Sequence, residues 1–324
     1  RLYIFAFFIL AALAARADEN VDALIEELTG QAPAVERTSA ELQAAYTRVV
    51  DFLLPGLAAE PLTDREQAQQ TFQRICFRAG RPDAESERAA LCQLVVQHLG
   101  SDTPKLARVW LLRQLERLGR ADECAGAVTA LLAEEDGEIR DLARRVLQNL
   151  AEDVPQLRAA LDRAKTAAWR LALINALAAR RDGEAVPQLT AMAREPEPAG
   201  ATAAIAALAD IGTRDALDGL VTLWKDGPPD RQPAVAIALV RFAQQLTEAG
   251  QHSQAAYVCT QVWESSLPMN LRTAALCGLA AADAEQATPV LRSLLQGSED
   301  LRLRQLAVRL LAESVGETAT DIFV

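Results

Sequence analysis

Apolar residues over the last two thirds of the chain recur at i, i+3, i+4, i+7 and i+8, the spacing of a helix with one broad buried stripe. Ile139, Leu142, Ala143, Val146, Leu147 and Leu150 show it in one segment; Val128, Leu131 and Leu132 show it in the segment before. The pattern predicts helices in pairs: 122–134 with 138–150, 154–164 with 166–179, 185–194 with 199–211, 216–225 with 232–248, 253–266 with 270–282, and 284–296 with 301–315. Asp136-Gly137, Pro196-Glu197-Pro198 and Gly227-Pro228-Pro229-Asp230 are the turns between them. Upstream the helical pattern is less regular, with segments at 21–28, 39–54 (stopping before Pro55-Gly56), 63–77 and 85–99, and a linker at 32–38.

The pairs repeat. Second helices align on Arg108, Arg140, Arg170, Thr202, Ala234, Arg272 and Arg304, in steps of 32, 30, 32, 32, 38 and 32 residues. Three positions further on stand Leu111, Ala143, Leu173, Ile205, Ile237, Ala275 and Ala307, an apolar column expected to be core. One such pair cannot bury its own apolar face and must lean on the next, so the period predicts an all-α stacked array. Burying its larger side chains, at about 1.5–3 kcal/mol each, offsets chain ordering only when neighbours stack. Irregular terminal pairs fit such an array, which gives the expected organisation: a leader at 1–17, degenerate capping pairs at 18–101, the regular array at 102–316 and a tail at 317–324.

The segments Asp136-x-x-Ile139-Arg140-x-x-Ala143 and Asp300-x-x-Leu303-Arg304-x-x-Ala307 resemble the turn and second helix of HEAT repeats. Ala209-Asp210-Ile211-Gly212-Thr213-Arg214-Asp215-Ala216 resembles the join between two such units, and the resemblance spans roughly 102–315. It implies a right-handed α-α superhelix, a HEAT-repeat solenoid of the armadillo type, whose usual work is to bind other proteins. Thr202 and Ala234 depart from the pattern by replacing its Arg. Within the motif, Asp136 is expected to cap its helix and pair with Arg140, and Asp300 with Arg304, each pair contributing only tenths of a kcal/mol at a surface. The chain as a whole also resembles HEAT arrays of exported bacterial proteins.

Composition narrows the function. Half the residues are apolar and only 5% aromatic, as closely packed helices prefer. A net charge of −11 argues against nucleic-acid or anionic-membrane binding by the whole surface. Arg1, the apolar run 2–13 and Ala15-Arg16-Ala17 before Asp18-Glu19 form a secretory signal peptide pattern, with a membrane anchor or a buried first helix as the competing readings. The apolar run falls short of the roughly 20 residues a span needs, so no stable membrane insertion is expected after cleavage, and the mature chain is expected to be periplasmic or secreted. The sequence does not open on Met and its tail lacks an obvious cap, so a longer parent chain is expected.

Catalytic chemistry is sparse. The closest glycines are seven apart, which rules out G-x-G-x-x-G and the P-loop. His98 and His252 stand in no H-E-x-x-H or zinc spacing, and no G-x-S-x-G occurs. No His-Glu dipeptide is present, so the HEAT-like iron hydroxylases do not fit, while acidity and scattered Trp110, Trp169, Trp224 and Trp263 disfavour HEAT-like DNA glycosylases. No enzyme, metal or cofactor is therefore expected. Cys76, Cys92, Cys124, Cys259 and Cys277 are an odd, widely spaced set; Cys259 and Cys277 match in height across a hairpin, but the alignment turns Cys277 away, and all five are expected chiefly as packing residues.

One candidate surface remains. Five residues past each alignment point lie Arg113, Arg145, Asn175, Ala207, Leu239, Cys277 and Arg309, which face a concave groove if second helices line it. Arg113, Arg145 and Arg309 suit carboxylate, sulfate or phosphate groups, with Asn175 in the same column. Leu239 with Phe242 suits an apolar patch for a peptide. The expected function is a noncatalytic protein-interaction scaffold whose partner is a protein, a peptide or another domain of the parent chain. The alternatives are an accessory module of a larger secreted carbohydrate-active or redox enzyme, and a HEAT-like lyase.

Overall fold

A computed structural model describes residues 21–31, 36–150, 153 and 155–315. The expected leader 1–17 and tail 317–324 lie outside the described residues. Among the described residues every regular element is helical. The first is α1 (21–28), then α2 (Ser39–Leu53), α3 (Leu62–Ala79), α4 (Glu85–Gln97), α5 (Lys105–Leu118), α6 (Gly126–Ala130), α7 (Gly137–Asn149), α8 (Pro155–Asp162) and α9 (Ala167–Ala179). The series continues with α10 (Val186–Met192), α11 (Pro198–Ile211), α12 (Arg214–Asp226), α13 (Gln232–Glu248), α14 (His252–Trp263), α15 (Met269–Ala282), α16 (Ala284–Gly297) and α17 (Leu301–Val315). None is long and apolar enough to cross a membrane.

Local chemistry sets the helix starts. Thr38 and Glu41 form a reciprocal capping box at α2, Asp136 accepts from the Glu138 and Ile139 amides at α7, and Thr213 and Asp283 cap α12 and α16. At the end of α11, Gly212 adopts a left-handed conformation with φ of 71°. That backbone conformation favours glycine, whereas the Gln245 Oε1 that a Cβ there would meet at 2.8 Å ends a flexible side chain that can move aside. The helix expected over 122–134 is broken: a π-type turn at Ala121–Ala125, the short α6 and a 3-10 turn at Leu131–Ala133 replace it. Gly126 sits at its centre, where helix propensity is weakest.

The chain divides into two compact units, Arg1–Ala160 and Leu161–Val324. In the first, α2 packs on α4, α3 on α5 and α5 on α7, with Phe72 and Trp110 edge to face at 5.2 Å. The irregular pairs thus share a core with the first regular ones. In the second unit α9, α11, α13, α15 and α17 pack in succession as one layer, with first helices such as α10, α12, α14 and α16 lying against it. Gly200, Ala201, Ala204 and Ala207 are buried on α11, and these small side chains let its neighbours approach closely.

The core column holds at Leu111, Ala143, Leu173, Ile205, Ala275 and Ala307, all buried. It fails at Ile237, which is 57% exposed. α13 starts at Gln232 as the pattern predicts, but the 3-10 turn Pro229–Arg231 takes up extra chain, so the alignment point at Ala234 falls two residues too early. Its true alignment point is Ala236, four residues into the helix as Thr202 is in α11, and its core residue is Leu239.

Cys259 and Cys277 form no disulfide. Cys76, Cys92, Cys124 and Cys259 are buried packing residues, and burial pushes the Cys259 thiol up to about 12.

Candidate functional site

On their own second helices Arg113, Arg145, Asn175 and Arg309 are exposed, while Ala207 of the same column is buried at 2% exposure. Leu239 and Phe242 are buried too: they are 1% and 3% exposed and belong to the core of α13. Phe242 only floors a shallow cleft of about 330 Å³ beside Gly212, Arg214 and Gln245. The two-residue shift accounts for this, because it moves the solvent-facing column position from Leu239 to Arg241. Ile237, one turn earlier, is the apolar residue that α13 does expose.

The corrected register brings out a repeated contact. Arg145 on α7 donates to both oxygens of Glu116 on α5, at 2.8 and 2.9 Å, and Asn149 donates to the same carboxylate at 3.0 Å. Arg241 on α13 pairs with Asp210 on α11. Each arginine stands five residues past its alignment point, and each acid eight past the point of the preceding second helix. Two of the column's arginines are therefore occupied in joining neighbouring repeats. Arg309 lies 3.9 Å from Glu313 on its own helix, while Arg113 has no carboxylate partner among the described residues.

Arginines at the alignment point itself do other work. Arg108 Nε donates to the Leu99 carbonyl at 2.8 Å and Nη2 to Glu134 at 2.5 Å, and the residue is only 7% exposed. Arg272 Nε donates to the Trp263 carbonyl, nine residues back as in Arg108, with its guanidinium 4.9 Å from the Trp263 ring centroid. These side chains satisfy carbonyls left open at the end of the preceding first helix. The expected Asp136–Arg140 pair is absent: Asp136 pairs with Lys105 Nζ at 2.7 Å, and Arg140 donates to the Glu134 carbonyl at 3.3 Å. The bond from Lys105, with the capping amides behind it, holds the Asp136 carboxyl below its ordinary range. Asp300 caps its helix through the Arg302 amide.

Residues 154–240 match the family model described as HEAT repeats. Those residues carry HEAT repeats. The ion pairs between second helices and the carbonyl-capping arginines are features of how the chain holds its stacked pairs. A search of curated proteins found no match. Among solved structures, the crystal structure of an engineered protein is similar at 19% identity over 94% of this chain and 88% of that one, with a TM-score of 0.35, a likeness too loose to speak to function.

A groove that the column did not anticipate lies among the irregular pairs. Gln73, Phe77 and Gly80 of the α3 side face Gln114, Arg117 and Leu118 of α5 across a cleft of about 200 Å³, with Cys76 at its base. Phe77 is 68% exposed, more than any other large apolar side chain among the described residues. The signal was in the sequence as local charge: residues 67–82 hold three arginines and no acid, and 103–121 hold five cationic residues and one acid. Reading 18–101 as degenerate caps concealed it. Among the described residues no three His, Cys, Asp or Glu side chains gather as a metal site.

Proposed function

We propose that this chain is an exported, noncatalytic scaffold that binds a protein partner through the solvent-facing side of its second helices. HEAT repeats are generally used for protein interaction, which supports the coarser half of this reading. The observations that carry the finer half are exposed polar groups on second helices within each unit: Arg113, without a carboxylate among the described residues, in the first, and Asn175 and Arg309, projecting to solvent, in the second. The unoccupied Arg113 guanidinium on a packed helix suits forked contacts to a carboxylate of a partner. The apolar run and Ala15-Arg16-Ala17 support export.

Two experiments test it. The immobilised chain, exposed to extracytoplasmic extract of its source organism, is expected to retain a defined protein that the Arg113→Glu, Arg309→Glu variant retains poorly. Equal retention by wild type, variant and bare matrix overturns the scaffold reading. Fusing residues 1–17 to alkaline phosphatase, which is active only outside the cytoplasm, is expected to give active enzyme; an inactive fusion overturns the export reading.

A further inference from the structure

On the scaffold reading above, we propose that the groove between α3 and α5 is a docking site for an acidic peptide segment of the partner that carries a bulky apolar side chain. Charge complementarity selects the occupant. The chain carries a net charge of −11, yet Arg117 lines this cleft, and Arg74 and Arg113 stand next in sequence to its lining residues Gln73 and Gln114, all three with no carboxylate partner among the described residues. The acid closest to them in sequence, Glu116, is engaged by Arg145 and Asn149. Several arginines elsewhere in the same unit are paired: Arg81 with Glu87, Arg88 with Glu123 and Arg108 with Glu134. Arg117 in the lining, with Arg74 and Arg113 next in sequence to lining residues, therefore leaves a local positive potential that an acidic segment would neutralise.

The cleft supplies the other two ingredients of peptide recognition. Phe77 stands out from its wall, 68% exposed among the described residues, an aromatic face suited to a Leu or Phe of the ligand. Gln73 and Gln114 line the same cleft from opposite helices, and each side-chain amide donates and accepts, as an extended peptide backbone requires. The register of α3 and α5 is held beneath by the Phe72–Trp110 contact, so the wall residues sit on a packed base. A purely apolar ligand would leave the arginines unanswered, and a nucleic acid would leave Phe77 the single stacking surface in a groove of limited length.

The test uses the full chain and a fluorescein-labelled peptide of alternating Asp and Leu residues ending in Phe, read by anisotropy. Binding is expected in the micromolar to millimolar range, weakening with salt as exposed ion pairs are screened. Phe77→Asp is expected to weaken it about tenfold or more, and Arg117→Glu by several-fold. Arg302→Glu, in the other unit, makes the same charge change as Arg117→Glu and is expected to leave it within about twofold; unchanged circular dichroism confirms that the variants fold. Equal loss in Arg302→Glu reduces the effect to net charge and overturns the site. Tighter binding of a single-stranded oligonucleotide or a Lys-Leu peptide overturns the assigned partner class. No peptide binding, with a protein still captured in the Arg113-dependent manner described above, overturns the groove and leaves the scaffold reading standing.

Discussion

Replacing Arg108 by Met keeps most of the aliphatic volume and removes the guanidinium, so it isolates the polar role of a buried residue. Two contacts disappear. The bond to the Leu99 carbonyl, 2.8 Å long and made by a charged donor, is of a kind that contributes about 1.5–3 kcal/mol, and its loss leaves an acceptor beside a buried residue. The contact to Glu134 counts for less, because that side chain is 31% exposed and screened, and adds roughly 0.5–1 kcal/mol. The sum, about 2–4 kcal/mol, corresponds to amide exchange in α5 rising some thirtyfold to several-hundredfold. Arg272→Met removes the same bond from a half-buried position, and about 1–2 kcal/mol is expected at α15. Arg304→Met, exposed and without a side-chain hydrogen bond among the described residues, is expected to change α17 by under about 0.5 kcal/mol. Native-state hydrogen exchange read helix by helix ranks the three. If Arg304→Met costs as much as Arg108→Met, the arginine acts through its charge at the turn and the carbonyl-capping role is refuted.

The corrected register of α13 predicts that Ile237→Asp shifts stability by no more than about 0.5 kcal/mol, whereas Leu239→Ala costs roughly 2–4 kcal/mol; urea unfolding in the reverse order would restore the original alignment. Maleimide labelling of the native chain at pH 7.5 is expected to reach half-buried Cys277 first and to spare Cys76, Cys92, Cys124 and Cys259 until urea unfolds it, since burial covers all four thiols and raises the pKa values of Cys76, Cys92 and Cys259. Labelling of Cys92 as fast as Cys277 in the folded state would contradict this.

How far the amino-acid pattern carried can be followed residue by residue. Helix pairs from 154 onward lie within a few residues of their expected bounds, because apolar periodicity and strong caps such as Thr213 and Asp283 agree there. The register of α13 was lost because a single short turn, Pro229–Arg231, absorbs residues without leaving a periodic trace, and a shift of two moves a helical side chain through about 200 degrees, from core to solvent. That one slip turned Arg241 into Leu239 and produced an apolar patch that does not exist. The Asp136–Arg140 expectation failed for another reason: Lys105 comes from a different helix, and a motif within one helix cannot show which outside partner is closer. The cleft at Phe77 was concealed because exposure is a property of packing, and a lone Phe in an irregular segment carries no period.

The pairs Arg145–Glu116 and Arg241–Asp210 join successive hairpins, whereas the capping bonds of Arg108 and Arg272 close each hairpin on itself. Only the former stand in water with their arginines about half exposed, so ions weaken the coupling between units of the array more than the intrinsic stability of each unit. Raising ionic strength therefore makes melting less concerted before it lowers the melting temperature, and the length of array that unfolds as one block becomes a quantity set by the solvent.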